Sequence, residues 1–194
     1  DRDVARLGEH LAQALGATVP AEVVTGPLIA GILGHAAAGR ADLLVLGARG
    51  ASFMRHLMLG STAERLVRKS NLPLLVVKQP PHERYRRVLV AVDFSASSLA
   101  ALYLARAVAP HASLVLLHAY DVPYEDWMQA VEVREAALQH YQQTALRRAL
   151  QDMQAFLAVA GPTSAEVTPV VVKGDPTHHI LEQEQELDCD LIVI

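Results

Sequence analysis

The chain has 194 residues, of which 52% are hydrophobic and 20% are charged, a composition typical of a folded globular protein with one large or two small domains. Its net charge of −4 gives no reason to expect nucleic acid or an anionic membrane as a partner, and no apolar run approaches the roughly 18 residues of a membrane-spanning helix. The single cysteine, Cys189, excludes an internal disulfide and favours a reducing compartment, so we predict a cytoplasmic protein.

The first part of the chain alternates helical and strand patterns of hydrophobic residues. Apolar residues that recur at a spacing of three or four positions indicate helices, whereas short continuous apolar runs indicate strands buried on both faces. These patterns predict helices over residues 4–15 and 28–38 and after residue 62, and strands over residues 21–25, 43–46 and 72–77. Gly39 is placed to end the second helix, because glycine readily adopts the backbone conformation of a helix C-terminus.

The second part repeats the alternation after a linker at residues 80–85. The patterns predict strands over residues 87–93, 113–118, 167–172 and 191–194, and helices over residues 99–108, within residues 124–160 and from residue 177. Asp175 and Pro176 indicate the start of the last helix, because Asp is favoured as an N-cap and Pro at the first helical position. Strands and helices that alternate in this way predict an α/β fold with parallel strands.

A glycine-rich loop follows the first fully apolar strand. Gly47, Gly50 and Gly60, followed by Ser61 and Thr62, give the pattern G-x-x-G-x9-G-[ST]. Glycine lets the backbone approach a ligand closely, and a helix that begins at such a loop adds its partial positive charge. This strand–loop–helix pattern predicts a phosphate site, with one of the two hydroxyls capping the helix. The alternative is that the glycines serve tight turns alone.

This stretch resembles the nucleotide-binding signature of the universal stress protein family, in its ATP-binding branch. The resemblance implies a parallel five-stranded sheet of strand order 3-2-1-4-5, with helices on both faces. It implies ATP as the ligand, with any Mg²⁺ arriving together with the nucleotide. The binding residues that it implies are Gly47, Ala48, Arg49, Gly50, Gly60, Ser61, Thr62, Ala91, Asp93 and Ala119.

Three of these residues lie outside the glycine-rich loop. In the resemblance, Asp93 corresponds to the acid that meets the ribose and adenine, with the Ala91 backbone beside it. Ala119, after the following strand, corresponds to a residue whose backbone contacts the adenine. The residues themselves also allow a second interpretation, in which Asp93 caps the helix that begins near Ser95 or Ser97.

Two segments share a pattern of strand, glycine, helix, and an aspartate that opens an apolar strand. The matching pairs are each 148 positions apart: Gly26 with Gly174, Ile32 with Ile180, and Asp42 with Asp190. A repeat of this length is typical of a duplicated domain. We therefore predict two tandem sheets, each incomplete in this sequence, with the rear part of one domain in residues 1–79 and the front part of a second in residues 86–194.

The resemblance implies a stress-responsive regulatory module that binds adenine nucleotide, rather than a committed enzyme; slow hydrolysis is compatible with it. The alternative is a nucleotide-free structural or interaction module that pairs through the edge strand at residues 72–77. The family pairs this last strand in a homodimer or an intramolecular pseudo-dimer. A third interpretation, an enzyme that activates substrates with ATP, expects a glycine-rich first loop, whereas this chain has Asp93 and Ser95 there.

Other reactive side chains have simpler structural interpretations. His178 and His179 are adjacent on a predicted helix, where they point roughly 100° apart, so we predict no metal site there. His118 ends an apolar strand and is predicted to be a buried histidine with its hydrogen bonds satisfied. Cys189 lies between acidic residues that disfavour the thiolate, so we do not predict a nucleophile.

Overall fold

The computed structural model describes residues 2–47, 60–78, 83–130, 135–162 and 165–194. The chain divides into two compact units, Asp1–Pro81 and His82–Ile194, which we call unit 1 and unit 2. Each unit contains parallel strands connected through helices, which confirms the predicted α/β class. Within the described residues, none of the helices combines the length and the apolar character that crossing a lipid bilayer requires.

The described residues of unit 1 form a short parallel sheet and three helices. In chain order these elements are α1 (Arg2–Leu15), α2 (Leu28–Ala38), β1 (Leu44–Gly47), α3 (Ser61–Lys69) and β2 (Leu74–Val77). β1 lies parallel to β2, with Leu44 opposite Leu74 and Gly47 opposite Val77. Leu66 of α3 is fully buried, so the apolar face of this helix supplies part of the core of the unit.

The part of unit 2 that the structure describes forms a four-stranded parallel sheet and four helices. The elements are β3 (Arg87–Ala91), α4 (Ala96–Val108), β4 (Ser113–Tyr120), α5 (Glu125–Ala130), α6 (Glu135–Ala160), β5 (Val167–Lys173), α7 (Pro176–Glu186) and β6 (Leu191–Val193). The strand order is β5-β4-β3-β6. Val88 and Val90 pack in one core with Leu102 of α4 and Phe156 of α6, whereas Leu89 packs in a second core. The two cores lie on opposite faces of the sheet because alternate residues of a strand point to opposite faces.

One of the predictions about strands is corrected by the structure. The described sheets have two strands in unit 1 and four in unit 2, so the five-stranded order 3-2-1-4-5 that the resemblance implies for a complete domain stays a prediction. Residues 21–25 do not form a strand. The physical reason is that a strand needs a partner: the equivalent strand of unit 2, β5, pairs along its length with β4, and unit 1 has no described strand in that position.

The two segments of the sequence pattern adopt the same local backbone. α2 and α7 begin and end at positions that differ by 148 residues. The glycines that precede them, Gly26 and Gly174, have φ angles of 125° and 127°. After the helices, Arg40 and Asp188 have φ angles of 51° and 52°. Both helices therefore start after a positive-φ glycine and finish through a left-handed residue, as helix C-termini commonly do.

Replacing Leu102 by alanine tests the core of unit 2. Leu102 is fully buried, so we expect Leu102→Ala to lower the free energy of unfolding by about 2–5 kcal/mol through lost contacts and a cavity. The matched control is Leu181→Ala on α7, where the side chain is 53% exposed and a change within about 0.5 kcal/mol is expected. Urea unfolding followed by circular dichroism measures both. Similar losses in the two variants would contradict this assignment of the core.

Candidate functional site

Asp93 lies in the turn between β3 and α4, at the carboxyl end of the sheet. Its Oδ1 accepts a hydrogen bond from the backbone N–H of Ser95 at 3.0 Å and another from the Ser98 hydroxyl. The Ser95 hydroxyl accepts a hydrogen bond from the backbone N–H of Ser98 at 3.2 Å and is the N-cap of α4. The cap of this helix is therefore Ser95, and Asp93 holds the capping turn in place.

The hydrogen bonds to Asp93 favour its charged form. They lower the pKa of Asp93 from 3.8 to about 2: the side chain of Ser95 contributes most, followed by the side chain of Ser98 and the backbone N–H of Ser95. Desolvation opposes this shift but does not outweigh it. A carboxylate held in one conformation and ionised at neutral pH thus lies at the end of β3.

Phe94 and His118 fix the shape of the same turn. Phe94 has a φ angle of 64°, which is uncommon for a residue other than glycine, and its ring centroid lies 4.1 Å from that of His118. His118 Nδ1 lies 2.8 Å from the Val92 carbonyl oxygen. Because a carbonyl can only accept, Nδ1 carries the proton in this bond. The sequence predicted a buried histidine at position 118, but His118 is half-buried. The sequence contained no signal for the left-handed conformation of Phe94.

The predicted contacts of unit 2 lie on neighbouring strands. Ala91, the last residue of β3, pairs with Leu117 of β4, and Ala119 lies two residues further along β4, opposite Val172. Parallel strands present their carboxyl ends at one edge of a sheet, where α/β proteins bind ligands. The structure therefore brings Ala91, Asp93 and Ala119 to the same edge.

The predicted contacts of unit 1 flank the end of β1 and the start of α3. Gly47 is the last residue of β1, and Gly60 is the N-cap of α3 with an extended backbone (φ −62°, ψ 148°). Ser61 and Thr62 form the first turn, and Gly60 provides no side-chain cap. The prediction that one of these two hydroxyls caps α3 is therefore wrong, because both residues are already helical. Ala48, Arg49 and Gly50 lie outside the described residues.

The predicted binding residues thus form two groups in different units. Gly47, Gly60, Ser61 and Thr62 belong to unit 1, whereas Ala91, Asp93 and Ala119 belong to unit 2. Within each group the residues lie at strand ends or in the turns that follow them. Unit 1 presents a helix N-terminus, which suits an anion, and unit 2 presents an ionised carboxylate, which suits a hydrogen-bond donor.

His179 forms hydrogen bonds within unit 2, and Cys189 is a buried free cysteine. His179 Nε2 lies 2.9 Å from the Lys173 carbonyl oxygen and Nδ1 lies 2.9 Å from Glu182 Oε2; the first of these contacts is the main cause of a raised pKa of His179. Burial raises the pKa of the Cys189 thiol, which disfavours the reactive thiolate. Among the described residues, no three side chains of the types that bind metals come together.

A charge-removing variant tests the environment of Asp93. Because the pKa of Asp93 is lowered in the folded state, its contribution to stability is present above about pH 4 and is lost as the pH falls towards 2. We expect Asp93→Asn to flatten the pH dependence of stability over this interval, measured by urea unfolding at a series of pH values. Asp152→Asn, which removes a carboxylate that forms an exposed ion pair with Arg148, is the control. Equal flattening by both variants would contradict the assignment.

The amino-acid sequence is similar to those of proteins from one known family. The sequence profile of the Universal stress protein family matches residues 2–78 and 84–194. Universal stress protein MJ0531 of Methanocaldococcus jannaschii is 34% identical over 75 residues, which are 39% of this chain and 44% of that protein. Universal stress protein Slr1230 of Synechocystis is 32% identical over 77 residues, which are 39% of this chain and 27% of that protein. This chain therefore spans less than half the length of either relative.

A solved structure extends the likeness in fold across both units. A universal stress protein from Archaeoglobus fulgidus has a TM-score of 0.60 at 22% identity, over 98% of this chain and 65% of that chain. At this identity the likeness shows the fold alone. The family profile, in contrast, matches two segments that together span almost all of the sequence. The chain therefore belongs to the universal stress protein family.

Proposed function

We propose that this chain is part of a tandem universal stress protein that binds ATP and acts as a regulatory module in the cytoplasm. The observation that carries the proposal is the N-terminus of α3, the first described element after β1 in unit 1. A parallel strand ends at Gly47, and the nine-residue helix Ser61–Lys69 follows Gly60, which provides no side-chain cap. Its first N–H groups are oriented to bind an anion such as a phosphate.

The first turn of α3 favours phosphate over other anions as the ligand at the start of this helix. Ser61 and Thr62 place two hydroxyls beside the N–H groups at the start of the helix. Hydroxyl and N–H donors together suit the several oxygens of a polyphosphate. The spacing of Gly47 and Gly60 in the family signature extends the proposal to a nucleotide, with any Mg²⁺ bound to its phosphates.

Unit 2 supports the nucleoside part of the proposal. Asp93 is ionised and its hydrogen bonds to Ser95 and Ser98 converge on Oδ1. We propose that Oδ2 accepts a hydrogen bond from a ribose hydroxyl, and that the backbone of Ala119 contacts the adenine. In a complete domain of this fold, both kinds of contact would come from the same domain, so unit 1 carries the phosphate contacts of one domain and unit 2 carries the nucleoside contacts of another.

We propose that the protein acts through the binding and release of ATP, rather than through its hydrolysis. The roles assigned to Gly60, Ser61 and Asp93 are all contacts that hold a ligand, and none of them positions a water for attack on a phosphate. Phosphoryl transfer needs such a positioned nucleophile in addition to bound phosphates. A regulatory signal that depends only on whether ATP is bound requires the contacts that hold the nucleotide, but no positioned nucleophile.

A second candidate function rests on the edge of β2. β2 pairs with β1, and within the described residues no strand covers its other edge. Its four residues, Leu74–Val77, are all half-buried and apolar. An uncovered apolar edge is a site for pairing with another strand. This observation favours the alternative of an interaction module that pairs through β2 without needing a nucleotide, in a homodimer or an intramolecular pseudo-dimer.

Replacement of Gly60 tests the phosphate contact. Gly60 has a backbone conformation that valine can adopt, so Gly60→Val places a branched side chain at the start of α3 without backbone strain. We expect at least a roughly tenfold weaker binding of ATP by isothermal titration calorimetry, because the side chain would obstruct the approach of phosphate to the helix N-terminus. The melting temperature should change little.

Gly34→Val is the matched control. Gly34 lies in α2 of the same unit, and an added Cβ would meet no atom within 4 Å. We expect its ATP affinity to equal that of the unmodified chain. If the unmodified chain binds no ATP at millimolar concentration while it self-associates through β2, the interaction module is the better description.

A further inference from the structure

His179, near the start of α7, lies between two hydrogen-bond acceptors. Its Nε2 lies 2.9 Å from the Lys173 carbonyl oxygen at the end of β5, and its Nδ1 lies 2.9 Å from Glu182 Oε2. A carbonyl oxygen and an ionised carboxylate can only accept hydrogen bonds. Both bonds therefore exist together only when both ring nitrogens carry a proton, which is the imidazolium form of His179.

The ring of His179 packs against the turn that connects β5 to α7. The Gly174 N–H donates to the Tyr120 carbonyl at 3.0 Å, so this turn continues the pairing of β5 with β4. Gly174 has a φ angle of 127°, and a Cβ added to it would lie 3.0 Å from His179 Nε2. The ring thus lies directly against the backbone of the turn, at the edge of the sheet where Ala119 lies.

The groups that face the ring favour its charged form. Glu182 and the N-cap residue Asp175 contribute negative charge, and the bond to the Lys173 carbonyl is the largest cause of the raised pKa of His179. Desolvation of the ring opposes this shift, and so does the positive end of the helix dipole. The exposed ring of His178, whose centroid lies 5.4 Å from that of His179, would add repulsion when it is protonated.

The elements packed against α7 present mainly apolar side chains to it. Those from β3 and β4 are Leu89, Val115 and Leu117. The Lys173 ammonium binds Glu125 and, by the alternation of β5, lies on the opposite face from Val172, which packs on the α7 side. Cys189, which belongs to the same core, follows the other end of α7. Among the described residues, the charges that bear on the ring therefore come from α7 and its N-cap.

Unit 1 forms the same turn without a histidine. The bounds of α2 and α7 differ by 148 positions at both ends, and Gly26 has a φ angle of 125°, close to that of its equivalent in unit 2. The positions equivalent to His179 and Glu182 are occupied by Gly31 and Gly34. The turn therefore does not need the ring in order to form, so His179 adds a proton-dependent contact to a turn that the backbone already specifies.

We propose that His179 is a proton-dependent latch of the β5–α7 turn, closed in the imidazolium form and open in the neutral form. The neutral ring has a single N–H, so one of its nitrogens would present a lone pair to an acceptor 2.9 Å away. That contact opens, and the ring holds the backbone of the turn less firmly.

The direction of the pH dependence follows from the contacts of the ring. The pKa of His179 is raised in the folded state, so the folded state binds the second ring proton more tightly than the unfolded chain does. The contribution of the latch is complete below about pH 6.5, the ordinary pKa of histidine, and is lost as the pH rises through the raised pKa of His179.

Amide hydrogen exchange between about pH 6 and pH 8.5, corrected for the intrinsic pH dependence of exchange, measures this loosening. We expect the protection of the Gly174 amide to fall by roughly three- to tenfold across this range, the effect of losing one hydrogen bond. The Leu116 amide, in the middle of β4, is the reference for the stability of the whole unit. In His179→Gln the protection of Gly174 should no longer depend on pH, whereas His178→Gln, which replaces an exposed neighbouring ring, should keep the dependence.

The imidazole resonances of His179 in the unmodified chain report its protonation by NMR without any substitution. We expect His179 to keep both ring protons past about pH 6.5. The proposal is overturned if the ring loses its second proton at or below that pH. It is also overturned if the protection of Gly174 does not change while His179 titrates, or if it falls equally in His179→Gln.

Discussion

Parallel pairing along both edges of β3 is the constraint on which unit 2 depends. The strand lies between β4 and β6, and three consecutive residues, Val88, Leu89 and Val90, are fully buried. Three buried residues in a row require apolar cover on both faces, which α4 and α6 supply on one side. The turn that carries Asp93 begins where this pairing ends, so the position of the carboxylate follows from the packing of the strand.

Short sequence patterns were sufficient to predict those elements whose structure depends mainly on residues close together in the chain. Asp175 was predicted as the N-cap of α7, and its side chain accepts the N–H of His178 at 2.8 Å. The limits of α2 were predicted without error because Gly26 and Gly39 flank an apolar run. A helix depends mainly on its own residues and their neighbours in sequence, so these predictions did not need the rest of the fold.

Long-range pairing explains what the sequence could not predict. The apolar segment at residues 21–25 has the composition of a strand, but a strand forms through hydrogen bonds to a neighbouring strand, which is often distant in sequence. The alternation of strands and helices predicted Asp93 and Ala119 near the ends of two strands, but β3 ends at Ala91, two residues earlier than predicted, and β4 extends to Tyr120, two residues further. The network of Ser95 and Ser98, and the interactions of Phe94 with His118, depend on three-dimensional contacts that no spacing reveals.

The hydrogen bond between His118 and the Val92 carbonyl has a consequence for how Asp93 is held. Val92 also donates its backbone N–H to the Leu117 carbonyl at 2.8 Å, so both of its backbone polar groups bond to β4. The backbone immediately before Asp93 is therefore anchored to the neighbouring strand. A substitution in β4 that shifts this strand would move the carboxylate with it, even though the two residues are far apart in sequence.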